Sequence, residues 1–171
     1  MIAFVYAGQG SQRVGMGKDF YEEFPGFARV FDHAPVEFDL KTLCFEGPEE
    51  KLSQTRYTQP CMAAFAVGVT SLLVQEGIRP QAAAGLPLGE YSALHAAGVF
   101  SQGTAISTVA FRGKVMEEAA AGLECGMTAV LGLDREKLQT ACDGASELGV
   151  VQICNYNCPG QLVIGGEKAA V

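Results

Sequence analysis

A chain of 171 residues, 49% hydrophobic and 18% charged, can bury the core of one ordinary domain, or of one domain with a small appendage, and is not a disordered polymer. Its net charge of −7, with no basic cluster to offset it, argues against a nucleic-acid surface. The apolar stretches are broken short of a membrane span, and MIAFVYAGQG has no signal-peptide pattern, so the sequence reads as cytoplasmic.

Ile2 to Tyr6 is a short apolar run that predicts a buried strand. Gly8-Gln9-Gly10-Ser11-Gln12 follows as a tight loop, at the end of a strand where open α/β sheets bind ligands. It lacks both GxGxxG spacing and a P-loop lysine, so a phosphate cradle is a weak reading. Lys18 to His33 has helical spacing interrupted at Pro25. Leu40 to Phe45 predicts a helical turn, and Gly47-Pro48-Glu49-Glu50 predicts a helix start leading into Lys51 to Gln54. Thr55 to Thr58 is expected to be a loop. Gln59 to Glu76 is apolar nearly all round, which predicts a buried helix ending near Gly77.

Gln81 to Gly85 predicts a second core strand, and Glu90 to Ala97 a helix ending at Gly98. Thr104 to Ala120 predicts the next helix, with Ile106, Val109, Gly113, Met116 and Ala120 on one face and Arg112 beside it. The pattern changes at Gly122 to Gly126. Strands are expected over Met127 to Leu133, Val150 to Cys154 and Gln161 to Ile164, a helix over Arg135 to Cys142, and a closing helix from about Glu167. Asn157-Cys158-Pro159-Gly160 should join the last two strands as a hairpin. The resulting βαββ order is most of a split βαβ unit. The chain is therefore divided into a first part, 1–122, and a second, 123–171.

The six cysteines, at 44, 61, 125, 142, 154 and 158, are expected to be small buried hydrophobes. With His33 and His95 the only histidines, no metal site is expected.

The most informative stretch joins the second strand to its helix. Gly85-Leu86-Pro87-Leu88-Gly89 keeps both glycines of the G-x-S-x-G nucleophile elbow, a sharp turn that raises a serine hydroxyl above a sheet. The serine position is Pro87. Proline holds φ at about −65° and has no N–H, so the strained elbow conformation should be lost while strand, loosened turn and helix persist. Ser92 lies too far along the helix to substitute.

The chain resembles the N-terminal part of malonyl-CoA:acyl-carrier-protein transacylases. The resemblance rests on GQGSQ at 8–12, Gly47-Pro48-Glu49-Glu50, Thr58-Gln59-Pro60, Leu88 to Leu94, Arg112-Gly113-Lys114 with Met116, and Asn155 to Gln161, all in the family's order. It implies an α/β fold, an incomplete α/β-hydrolase-like subdomain with an incomplete ferredoxin-like small subdomain. It implies ping-pong transfer of a malonyl group from coenzyme A, through a serine ester, to the phosphopantetheine thiol of acyl carrier protein.

By the same resemblance, the backbone N–H groups of Gln9 and Leu88 form the oxyanion hole and Arg112 holds the malonyl carboxylate. Asn155 and Gln161 lie beside the cleft without an assigned chemical role. Malonyl-CoA enters as substrate, and no resident cofactor is expected. The departures are Pro87 at the nucleophile position and the absence of the family's catalytic histidine, which neither His33 nor His95 matches. The expected chain is catalytically incompetent alone and open to a complementing C-terminal half. The alternative is a non-catalytic remnant that binds coenzyme A or acyl carrier protein. The missing strands should leave apolar surface exposed and the isolated chain poorly soluble or partly molten.

Overall fold

The computed structural model describes all residues, 1–171, as two compact units, Met1–Ala119 and Ala120–Val171. In the first unit, β1 (Ala3–Tyr6) pairs in parallel with β2 (Ala82–Gly85), Ala3 opposite Ala82 and Tyr6 opposite Gly85. These two strands are the entire sheet of the unit. The helices are α1 (Lys18–Glu23), α2 (Pro25–Asp32), α3 (Leu40–Glu46), α4 (Glu49–Leu52), α5 (Thr55–Gln75), α6 (Gly89–Ala96) and α7 (Gln102–Ala120).

The core of this unit gathers on α5. Phe27 of α2 is fully buried, stacked on Phe31 at 4.9 Å and edge-on to Phe65 of α5 at 6.0 Å. Two glycines make that seat possible. A Cβ at Gly68 would lie 2.6 Å from Cδ2 of the Phe27 ring, and one at Gly17 2.9 Å from its Cζ. The helix is long and apolar enough to cross a membrane by length and composition alone. Here its apolar residues, including Cys61, Ala64 and Val67, lie in the core of the unit. Tyr6 of β1 reaches α5 through a 2.8 Å hydrogen bond between its hydroxyl and that of Thr70, and burial raises the Tyr6 phenol above its ordinary pKa.

The second unit is an antiparallel sheet ordered β3-β5-β4, from β3 (Cys125–Leu131), β4 (Val151–Cys158) and β5 (Gln161–Glu167). Helix α8 (Arg135–Gly144) contributes buried Leu138 and Cys142, and β5 contributes Leu162. Register shifts between Ile153 and Asn155 and between Tyr156 and Cys158 mark irregularities in β4. Pro159 and Gly160 turn the hairpin, Gly160 at φ +84°.

Several expectations are corrected. Thr55 to Thr58 is not a loop but the first turn of α5. The Thr58 hydroxyl donates to the Leu52 and Gln54 carbonyls, and the Tyr57 and Thr58 amides both bond to Gln54 O, which starts the helix before Pro60. The interruption expected at Pro25 is present: the run from Lys18 breaks into two helices at Phe24, whose extended backbone is what a residue before proline prefers. No helix begins at Glu167. The strand β5 runs to that residue, held by the Gly166 to Val151 and Cys125 to Glu167 pairings, and turns follow. Cys125, Cys154 and Cys158 are exposed rather than buried, because the strands that carry them have faces open to solvent. Met116 is also exposed, so the buried stripe of α7 ends at Gly113.

Helices α3 and α8 are capped alike. Asp39 accepts from the Thr42 amide and Asp134 from the Lys137 amide, each at 2.9 Å, and these bonds hold both carboxyls below the ordinary carboxylate range. Depressed folded-state pKa values contribute stability above the unfolded value, about 4, and lose it as pH falls through the folded value. Replacing Asp39 with Ala should lower the melting temperature at neutral pH, with a penalty that shrinks once both proteins are measured below about pH 3. Phe27→Ala should cost about 3–5 kcal/mol by chemical denaturation. Val5→Ala, at an 80% exposed position, should cost less than about 0.5 kcal/mol.

Candidate functional site

Three glycines bring the site together. A Cβ at Gly89 would sit 2.3 Å from the Tyr6 carbonyl oxygen, and one at Gly85 would sit 2.1 Å from the Gly89 carbonyl carbon. A Cβ at Gly8 would lie 2.8 Å from Leu86 O. No side chain larger than hydrogen fits at these points, so the ends of β1 and β2, the 8–12 loop and the start of α6 meet backbone on backbone. The two outer glycines of the turn are closely packed, and Pro87 at its centre is exposed.

The turn is relaxed as its proline requires. No residue other than glycine has a positive φ, and Leu88 already has right-handed helical angles (φ −68°, ψ −41°) before α6 begins at Gly89. The side chain of Leu88 is buried. Gln9 lies in the 8–12 loop, where the Gly10 amide donates to Gln12 Oε1 at 2.8 Å. Ser92 is buried one turn further along α6 and has no elbow geometry.

The structure adds a second layer behind the loop that the sequence did not reveal. Gln9 Nε2 donates to Thr55 Oγ1 at 3.1 Å, and Gln59 Nε2 is 3.5 Å from Gln9 Oε1 and 3.4 Å from Met116 Sδ. Thr55 and Gln59 stand one turn apart on α5, so one helix face grips both ends of the Gln9 amide. Gln59 is fully buried, and its Oε1 has no hydrogen-bond partner. The Thr58-Gln59-Pro60 motif signals this residue only by resemblance, because its neighbours come from distant parts of the chain.

The same first turn of α5 receives α7. A Cβ at Gly113 would lie 2.8 Å from the Thr55 carbonyl oxygen, so α7 crosses α5 in direct backbone contact there. Arg56 joins the crossing by its amide to Glu117 Oε2 at 3.3 Å and by an ion pair with Glu117 at 3.6 Å. Arg112, next to Gly113, is half-buried and has no carboxylate within 4.0 Å. Its guanidinium stands 5.9 Å from the centroid of the Tyr91 ring on α6. Arg112 is thus an unneutralised cation placed against the helix that follows the elbow.

Both histidines have local roles. His33 Nδ1 lies 2.9 Å from Arg29 O, and His95 Nδ1 lies 3.0 Å from Phe100 O at the end of α6. Cys44 and Cys61 are buried side by side, and hydrogen bonding to Cys44 together with burial pushes the Cys61 thiol up. Asn155 and Gln161 belong to β4 and β5 of the second unit, where Gln161 Oε1 accepts from Asn157 Nδ2 at 3.1 Å.

The site is thus a strand, a glycine-bounded turn and a helix, with a glycine-rich loop beside the turn and an arginine without an acidic partner near the helix. The chain belongs to the acyl transferase domain family, which matches residues 3–171. Within it, the chain is similar to malonyl CoA-acyl carrier protein transacylases. It is 45% identical to that of Bacillus subtilis over 99% of this chain and 55% of the relative. The solved acyl-carrier-protein S-malonyltransferase of Bartonella henselae superposes with a TM-score of 0.92 at 38% identity, over 99% of this chain and 56% of that one. A malonyl-transacylase solved with a type II polyketide-synthase acyl-carrier protein matches at TM-score 0.89 and 41% identity, over 98% and 55%. The chain spans about half the length of the curated relatives it matches. The fold is the α/β fold of those structures.

The α5–α7 crossing can be tested without any substrate. Gly113→Leu should destabilise the chain by about 1–3 kcal/mol through overpacking, read by urea denaturation, whereas Lys114→Leu at the exposed neighbouring position should change little.

Proposed function

We propose that this chain carries one half of a malonyl-CoA:acyl-carrier-protein transacylase site, and that it is catalytically incompetent on its own. The observation that carries the reading is the elbow. Its glycine packing is intact, yet the residue at its centre is Pro87, which has neither a nucleophilic atom nor the backbone conformation that would expose one. Met1–Ala119 is then the partial hydrolase-like subdomain and Ala120–Val171 the partial ferredoxin-like one, in keeping with the β3-α8-β4-β5 order.

In this reading the Gln9 and Leu88 amides are oxyanion donors, and Leu88 retains its N–H at the start of a helix, where amides lack intrahelical partners. Gln9 is fixed through Thr55 and Gln59. Arg112 receives the malonyl carboxylate because a guanidinium pairs with a carboxylate in two parallel hydrogen bonds and this one has no competing acid. Coenzyme A and the phosphopantetheine thiol of acyl carrier protein are the acyl donor and acceptor, both met in the cytoplasm, and no resident cofactor takes part. The histidine that would act as base is supplied from outside these residues, since both histidines present serve their own backbone.

Intact-mass measurement after incubation with malonyl-CoA tests the reading. The expected result is no adduct on the chain as it stands, and one malonyl ester on Pro87→Ser once the C-terminal part of the Bacillus subtilis relative, beyond the matched stretch, is present to supply the histidine. Adding Arg112→Ala to that variant should lower the extent of acylation about tenfold or more, the loss of one charge-assisted pair. An ester on the unaltered chain would place the acyl group on another residue and overturn the proposal.

A further inference from the structure

The acyl-transfer reading gives no role to the sulfur of Met116. This residue follows Gly113 on α7, just past the point where α7 crosses the first turn of α5. Its side chain is 44% exposed, yet its Sδ accepts from Gln59 Nε2 at 3.4 Å, and Gln59 is fully buried. One thioether therefore has a side open to water and a side against a buried amide. Of the other methionines, Met16 and Met62 are buried, and Met1 and Met127 are exposed.

Gln59 is held loosely on this side. A thioether is a weak acceptor. The other Nε2 contact, to Gln9 Oε1, is 3.5 Å long, at the outer limit of a hydrogen bond. Gln59 Oε1 has no partner at all. A buried carboxamide with two weak donor contacts and an orphaned acceptor follows any stronger acceptor placed beside it, because away from water nothing else satisfies its N–H groups.

We propose that Met116 is an oxidation site through which peroxide releases Gln9 from Gln59. Hydrogen peroxide meets Sδ from the solvent side. Its O–O bond breaks, an S–O bond forms on a sulfur lone pair, and the second oxygen leaves as water. The sulfur is oxidised by two electrons to a sulfoxide and the peroxide is reduced by two. The new oxygen is a strong acceptor in place of a weak one. It has no room between Sδ and Nε2 as they stand, since an N–H···O contact alone takes about 2.9 Å of the 3.4 Å present. Met116 yields toward the solvent it already meets, and the Gln59 amide turns with the sulfoxide and leaves Gln9 Oε1. The Gln9 side chain is then held by Thr55 alone, at 3.1 Å, and the 8–12 loop loosens. Methionine sulfoxide reductases reverse the step.

The test treats the full chain, dilute, with hydrogen peroxide and then with dithiothreitol, which returns oxidised Cys125, Cys154 and Cys158 to thiols and leaves methionine sulfoxide in place. Peptide mass spectrometry should find sulfoxide at Met116 as well as at Met1 and Met127. Hydrogen exchange over the peptide that holds residues 8–12 should speed up by about threefold or more, and return to its first rate after reductase treatment. Met116→Leu keeps the bulk and has no sulfur to oxidise, so its loop should exchange at one rate before and after peroxide although Met127 is oxidised. Met116→Gln, which puts an amide oxygen within the same reach, should speed up the loop with no peroxide at all. Sparing of Met116 while Met127 is oxidised, a loop unmoved by the Met116 sulfoxide, or an equal acceleration in Met116→Leu would each overturn the proposal. Faster exchange spread through α5 and the second unit would be general loosening and would overturn it too. Nothing in this coupling depends on acyl transfer, so a chain that never takes a malonyl group leaves it standing.

Discussion

The structure depends on the backbone contact where Gly89 meets the end of β1. The space left for a Cβ there is 2.3 Å from the Tyr6 carbonyl oxygen, inside any permitted approach, and the Gly85 position is tighter still. Because these glycines carry no side chain, the elbow can be drawn down onto β1 and the 8–12 loop can lie over Leu86. Every later feature of the site follows from that approach. The loop comes within reach of α5, α6 starts beside the sheet, and Tyr91 on α6 lies where Arg112 can approach its ring.

The second organising element is α5. One face seats Phe27 through Gly68, another lines a groove beside β1, and its first turn holds Gln9 and receives Gly113. A helix buried on several faces needs apolar residues nearly all round, which is why its sequence shows no clean amphipathic stripe. The same composition makes it resemble a membrane span when length and hydropathy alone are considered, although its residues Cys61, Ala64 and Val67 lie in the core and Phe27 packs on it at Gly68 and Phe65.

Pro87 separates architecture from chemistry. The strand, turn and helix persist around it because proline is compatible with a turn entering a helix, and the close contacts are made by the glycines on either side. Compared with the centre of a G-x-S-x-G turn, Pro87 lacks a hydroxyl, an N–H and access to positive φ. The packing at 85–89 is thus independent of which residue stands at its centre.

Much of this was legible in the sequence. The apolar run at 2–6 marks a strand, although its two faces are half-open rather than buried, the glycines at 85 and 89 and the Pro159-Gly160 turn specify local geometry through backbone freedom, and the βαββ order was readable in the runs between 127 and 164. Element ends were less legible. Thr55 to Thr58 reads as polar loop because its helix is fixed by bonds to Leu52 and Gln54 carbonyls, and β5 extends past Ile164 because its neighbours on both sides supply partners. The sequence by itself determined which backbone could be strained and where: it placed glycine at 85 and 89 and proline at 87, and covalent geometry does the rest. Only the tertiary structure decided what surrounds those positions. The Thr55 and Gln59 grip on Gln9, the unpaired state of Arg112 and the bare edge of β1 are distances between residues up to about 80 positions apart, and no local rule encodes such distances until the chain has packed.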